Sequence, residues 1–173
     1  MPVELVNARR VSDEVFVTER DITTVGPQEI AALKAIAASN PRKRARLCAH
    51  PGVGDRLHEM LIVHVGRPYV APHKHPNKSE SYHMIEGRLA IVVFDDRGTA
   101  VETTRMGAPG SADAFFCRLL PDRYHTVVPS TDAVVYHEVT NGPFDPRDTV
   151  VAPWAPAEAD LEAQRRFMSA LPL

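Results

Sequence analysis

The chain has 173 residues, 44% of them hydrophobic, and a formal net charge of −2. That length supports one domain with a full core, and the small charge excludes the electrostatic footprint of a nucleic-acid or anionic-membrane binder. No apolar run approaches the ~20 residues of a membrane span and the N-terminus shows no hydrophobic signal segment, so the protein is expected in the cytoplasm. In that reducing compartment Cys48 and Cys117, far apart and without a CxxC spacing, read as buried free thiols.

Residues 14–18 read as a short strand. Residues 27–38 predict a helix: Pro27 suits its first turn, Glu29 its positive end, and Ile30, Leu33 and Ala37 form a narrow apolar stripe. Asn40 and Pro41 end it. The basic run from Arg42 to Arg46 reads as a solvated turn. From residue 57 the pattern becomes β. Residues 58–65 put Met60, Ile62 and His64 on one face and Leu61, Val63 and Val65 on the other. Residues 88–95 close on a turn at Asp95 to Gly98, and residues 101–106 return. Residues 114–119, 125–128 and 133–139 follow, separated by Gly-, Pro- and Asp-bearing turns. Such a density of short strands favours a sandwich or closed barrel over a βαβ sheet. Asn141 to Pro146 is a turn cluster, residues 152–156 are extended with Trp154 as a packing anchor, and residues 156–170 predict a final helix. The whole reads as one structural domain: an N-terminal extension over 1–56, a β-barrel over 57–140, and a C-terminal segment with helix over 141–173.

The most informative stretch runs from Gly66 to Gly87. His73 and His75 lie two residues apart, hence on one face of a strand, and Glu80 follows five residues after His75. Two imidazoles and a carboxylate converging there make a site for a divalent transition metal, with His125 the natural fourth ligand. Fe, Mn, Ni, Co and Zn all suit three imidazoles and one carboxylate, and one ion per chain is expected. Strand parity turns His83 away from this face. His58 and His64 share a face with Met60 and Ile62 and are candidates to line a cavity. Tyr82 and His64 are the candidate catalytic groups. His137 and Glu138 lie on adjacent faces of a late strand, where one is a candidate to orient a ligand.

The segment from Gly66 to Gly87 resembles the first cupin motif, Gly, His-x-His, Glu, Gly, with one extra residue after Gly66. The stretch from Pro121 to His125 resembles a degenerate second motif, with Asp122 where a Gly is usual and without the usual Asn. Asp tolerates a left-handed turn better than most residues, so the turn is expected to survive. A wider set looks like the WbuC family of cupin-fold metalloproteins. It comprises Pro41 to Arg46 with His50 downstream, Tyr69 to His75, the strand end from Val93 to Gly98, Gly142 to Phe144, and Ala152 to Pro156. The resemblance implies a single cupin (double-stranded β-helix, jelly-roll) barrel with a metal site. It also implies an association with bacterial surface-polysaccharide (O-antigen) biosynthesis.

Three functions are compatible with these residues. One is a metal-dependent enzyme, an isomerase, epimerase or dioxygenase, acting on a small polar substrate such as a sugar or sugar nucleotide. Another is a non-catalytic metal-dependent binding module. The last is a metal-free sugar epimerase, against which the complete His-x-His, Glu, His set counts. Exposed sheet edges make a homodimer the expected assembly.

Overall fold

The computed structural model describes Leu5 and residues 7–173; residues 1–4 and 6, at the start of the N-terminal extension, lie outside the described residues. Among the described residues, twelve strands form two sheets. The larger sheet is built from β1 (Ala8–Arg10), β2 (Val15–Thr18), β3 (Arg44–Cys48), β4 (Leu57–Val65), β6 (Glu80–Glu86), β9 (Phe116–Leu119) and β11 (Ala133–Asn141), in the order β1-β2-β3-β4-β11-β6-β9. The smaller contains β5 (His73–Lys74), β7 (Arg88–Phe94), β8 (Ala100–Gly107), β10 (Tyr124–Pro129) and β12 (Val150–Val151), in the order β12-β5-β10-β7-β8. Every pairing within them is antiparallel except β2 with β3. The mainly β expectation with one N-terminal and one C-terminal helix therefore holds.

Alternation along each strand decides which residues enter the space between the sheets. Met60 and Ile62 of β4, Tyr82 and Met84 of β6, Val134 and Tyr136 of β11, and Leu89 and Ile91 of β7 meet there as one apolar cluster. Each fully buried side chain of this size contributes about 1.5–3 kcal/mol. The opposite face of β3, β4 and β11 carries Ala45, Leu47, Val63 and Val135. It is covered by α1 (Pro27–Ser39) through Leu33, Ile36 and Ala37. Glu29 caps that helix by accepting the Gly26 backbone N–H at 2.8 Å. The C-terminal helix α2 (Leu161–Ser169) packs Phe167 and Met168 against Trp154, Phe94 and Tyr124 on the outside of the smaller sheet. Trp154 is thus the packing anchor its sequence setting predicts.

Two expectations need correction. The run from Arg42 to Arg46 is not a solvated turn: Arg44–Cys48 is β3, paired to both β2 and β4, with Arg44 opposite His64 and Arg46 opposite Ile62. Arg44 and Arg46 therefore share the inward face, and the apolar half of the alternation, Ala45 and Leu47, lies under α1. Charge composition hid a period-2 pattern. The final helix is also shorter than residues 156–170, because Asp160 caps its start by accepting the Ala163 N–H at 2.9 Å.

Two turns depend on left-handed backbone. Asp122 adopts φ 61° in the position where a glycine was anticipated, so the turn before β10 survives as expected. Gly87, between β6 and β7, has φ +76°, and a Cβ there would stand 2.2 Å from the Ala133 carbonyl oxygen. Gly87→Ala should therefore destabilise the fold by about 2 kcal/mol or more, from backbone strain plus a contact with main chain that cannot move aside. Gly54→Ala, in open space at an ordinary φ, should leave stability within about 0.5 kcal/mol. Denaturant unfolding of the two variants checks the contrast.

Candidate metal centre

His73 and His125 sit directly opposite one another on β5 and β10, His75 follows two residues after His73, and Glu80 opens β6 on the facing sheet. One ligand atom from each of the four lies within 4.8 Å of all the others. Donors on opposite sides of an ion at about 2.1 Å would be about 4.2 Å apart, so the set closes on an ion with shifts of a few tenths of an ångström.

The aim of the three imidazoles is fixed from behind. His73 Nδ1 bonds the Ala71 carbonyl at 2.8 Å, His75 Nδ1 the Asp148 carbonyl at 2.8 Å, and His125 Nδ1 the Arg123 carbonyl at 3.0 Å. A carbonyl only accepts, so each Nδ1 carries the hydrogen and each neutral ring presents its Nε2 lone pair inward. His75 Nε2 then stands 3.2 Å from Glu80 Oε1, and His125 Nε2 stands 3.0 Å from Glu80 Oε2. Lone pair facing lone pair at that distance is repulsive unless a proton or a cation lies between. This donor set fits a divalent transition metal, because a backbone carbonyl behind each ligating histidine is the support such sites use.

The protonation balance follows from the same contacts. Burial opposes the charged Glu80 carboxylate, but a proton placed between it and His125 or His75 gives it a charge-assisted hydrogen bond and a neighbouring positive charge, which hold it well below the usual carboxylate range. Burial, then the neighbouring His125, pushes His73 down to about 4. Tyr82 donates its hydroxyl to Glu80 Oε2 at 3.1 Å and also lies 3.3 Å from His125 Nε2. Burial and the Glu80 charge push that phenol well above its ordinary value. It keeps its proton and braces the carboxylate.

The cluster opens onto a cavity of about 360 Å³ between the sheets, inside the about 300–1,000 Å³ range of small-molecule sites. His58 and His64 line it, as their strand face predicts. His64 is buried, sits edge-on to Tyr136 at 5.7 Å, and its Nδ1 has no hydrogen-bond partner among the described residues. Burial and the positive Arg44 and Arg46 push it down to about 3. His83 points outward, stacks on Phe115 and lies tilted against Phe116, and His137 faces Glu59 on the outer surface at 3.7 Å. His50 stacks on His58 at 4.0 Å. Sequence reasoning gave Glu138 only an orienting role and omitted Arg44, Arg46 and Lys78, all of which line the cavity. Burial and the Glu80 charge push the Glu138 carboxyl up to about 8.

A family model described as a domain of unknown function (DUF6016) matches residues 25–106. No curated protein matches the chain. Among solved structures, an uncharacterized protein with a double-stranded β-helix domain from Klebsiella pneumoniae aligns at TM-score 0.50 and 16% identity, over 66% of this chain and 82% of that one. The fold is the double-stranded β-helix of the cupins. A cupin superfamily protein from Desulfitobacterium hafniense aligns at TM-score 0.47 and 10% identity, over 63% of this chain and 86% of that one. A sugar phosphate isomerase from Silicibacter pomeroyi, also a cupin, aligns at 0.40 and 17%, over 51% of this chain and 52% of that one. The chain spans only 21% of the length of another match, procruciferin from Brassica napus. No helix among the described residues is long and apolar enough to cross a membrane.

Two outcomes follow from this geometry. His75→Ala should lower bound metal from about one ion per chain to a small fraction of it while the circular dichroism spectrum stays native, because one donor of four is gone. Equal metal in the variant and the parent, by elemental analysis, would refute the ligand set. For pH, His64 has a folded value of about 3 against about 6.5 in the unfolded chain. Between those values the unfolded state binds a proton that the folded state excludes, so stability falls as pH falls, by at most about 1.4 kcal/mol per unit. In chelated protein, His64→Gln should lose less stability than the parent between pH 6.5 and 4.5. Parallel unfolding profiles would show that His64 does not contribute.

Proposed function

We propose that this cupin-fold protein is a metal-dependent enzyme acting on a small polar substrate, of the sugar class, held between the metal cluster and the cavity wall. The supporting observation is that the four convergent donors open onto a cavity lined by charged and hydrogen-bonding side chains. A purely structural metal would instead be closed off from solvent. A divalent ion in the cluster would supply Lewis acidity toward substrate oxygens and would acidify a neighbouring C–H or water.

The chain's own groups divide the remaining work. His73, His75, Glu80 and His125 would hold the ion, and Tyr82 braces Glu80. The two catalytic candidates from the sequence therefore take unequal roles in this reading. Tyr82 is engaged with the ligands, whereas His64 stays neutral at physiological pH and its buried ring forms part of the cavity wall. Glu138 stands opposite Tyr82 in the β6–β11 register and lines the same space. A cation in the cluster would draw its raised value down toward neutrality, where a carboxyl exchanges protons most effectively. Proton transfer at a carbon beside a substrate carbonyl or hydroxyl, as in isomerisation or epimerisation, is the chemistry these residues support best. The motif resemblance to WbuC proteins supports a place in surface-polysaccharide biosynthesis.

Metal-reloaded protein, incubated with a panel of sugars, sugar phosphates and sugar acids in deuterated water, should incorporate deuterium into at least one of them. Chelation or His75→Ala should abolish the exchange, and Glu138→Gln should lower it about 10²-fold or more. A metal-loaded protein that binds a panel member without exchange or turnover would identify a binding module instead.

A further inference from the structure

The cavity has a second pole, and it is cationic. Strand alternation turns Arg44 and Arg46 of β3 into the barrel interior, on the face shared by His64, Ile62 and Met60 of β4. Among the described residues, the basic side chains around this space are matched to partners, with one exception. Glu14 takes Arg42 at 2.9 Å on one oxygen and Arg44 at 2.6 Å on the other, and Glu158 takes Arg42 at 2.8 Å. Lys78 donates to the Pro143 carbonyl at 2.8 Å and pairs with Asp148 at 3.5 Å. Arg46 has no carboxylate within 4.0 Å among the described residues, and its guanidinium touches only the Met60 sulfur, at 3.9 Å. Glu138 enters the same cavity but also stands beyond ion-pair distance of it.

The Arg46 guanidinium, half-buried beside Met60 and Ile62 and influenced by Glu14 and Glu138 only from beyond ion-pair distance, keeps its hydrogen-bonding fork free for a ligand. It offers a planar fork of donors matched to the oxygens of a phosphate or carboxylate. Its strand is three strand spacings from β6, which carries Glu80, or about 14 Å at the backbone. Side chains reaching inward from both walls shorten that span. A two-carbon acid is too short to touch both poles. A nucleotide sugar is large for a cavity of about 360 Å³, near the low end of small-molecule sites.

Resting on the metal-dependent reading above, we propose that the substrate is a monosaccharide-sized polyhydroxy compound with a terminal anion, a phosphate or a carboxylate, whose hydroxyl or carbonyl oxygens face the histidine cluster while the anion pairs with Arg46. Arg46 is then a specificity-determining residue, and it selects charged sugars over their neutral parents.

The test uses metal-reloaded full-length protein, with glucose 6-phosphate, other hexose and pentose phosphates, glucuronate and related sugar acids, and the matching neutral sugars as probes. Calorimetry and thermal shift should show at least one anionic probe bound about tenfold or more tightly than its neutral parent, with an affinity that weakens as salt rises. Arg46→Gln should cost that probe about tenfold to a hundredfold in affinity while leaving binding of the neutral sugar and the metal content unchanged. Arg46→Lys should restore part of the loss. Which series, phosphates or acids, shows the preference identifies the anion. A panel in which no charged sugar outcompetes its neutral parent overturns the proposal, as does an Arg46→Gln protein, metal-loaded and natively folded, that binds the anionic probe like the parent. If the parent itself retains no metal but still binds the anionic probe through Arg46, the anion site stands and the metal-dependent reading fails.

Discussion

The structure turns on one electrostatic conflict. Three imidazoles are pinned by backbone carbonyls so that their unprotonated nitrogens face one another, and two of those nitrogens also face the oxygens of a buried carboxylate. Left to themselves these acceptors repel, yet they are held together by the pairing of β5 with β10 and by the approach of β6 from the opposite sheet. The barrel supplies the force that gathers them, and a cation relieves it. Burying such a set costs folding free energy that returns only when the centre is filled. A stable fold without metal would therefore depend on the apolar layer of Met60, Ile62, Met84, Ile91 and Val134, and on the two helices that cover the outside of the sheets.

The cavity has an asymmetry that follows from the same architecture. One end is defined by the jelly-roll strands that carry the histidines. The other is defined by β2 and β3, which lengthen the larger sheet beyond β4 and bring Glu14, Arg44 and Arg46 into the interior. In the proposed reading the barrel strands would hold the ion and the added strands would contact what sits beside it, which would put chemistry and selectivity on separate parts of the chain.

Much of the centre was legible because its signals are local. His-x-His on a strand, Glu80 at a fixed offset, and Asp122 in a left-handed turn before His125 each make sense within a few residues. The β-rich core was legible for the same reason, through alternation and turn residues. What escaped was whatever depended on composition masking pattern or on long-range contact. Arg44-Ala45-Arg46-Leu47 alternates like any half-buried strand, but four basic residues among the five from Arg42 to Arg46 suggested solvent. The carbonyls of Ala71, Arg123 and Asp148 carry no side-chain signature at all. The division between Tyr82, which braces Glu80, and Glu138, which faces the open cavity, depends on pairing across β6 and β11 and cannot be read from either strand alone.

The carbonyl of Asp148 has a consequence for biogenesis. His75 is aimed by a residue 73 positions later in the chain, on the short turn that leads into β12, and β12 in turn pairs with β5, which carries His73. A ribosome releases the His-x-His pair and Glu80 well before it releases their supports. During that interval the ligands exist but are not oriented, and a metal captured then would meet floppy donors with little power to discriminate among ions. Full orientation of the four donors would therefore wait until the carboxy-terminal arm has folded across the barrel.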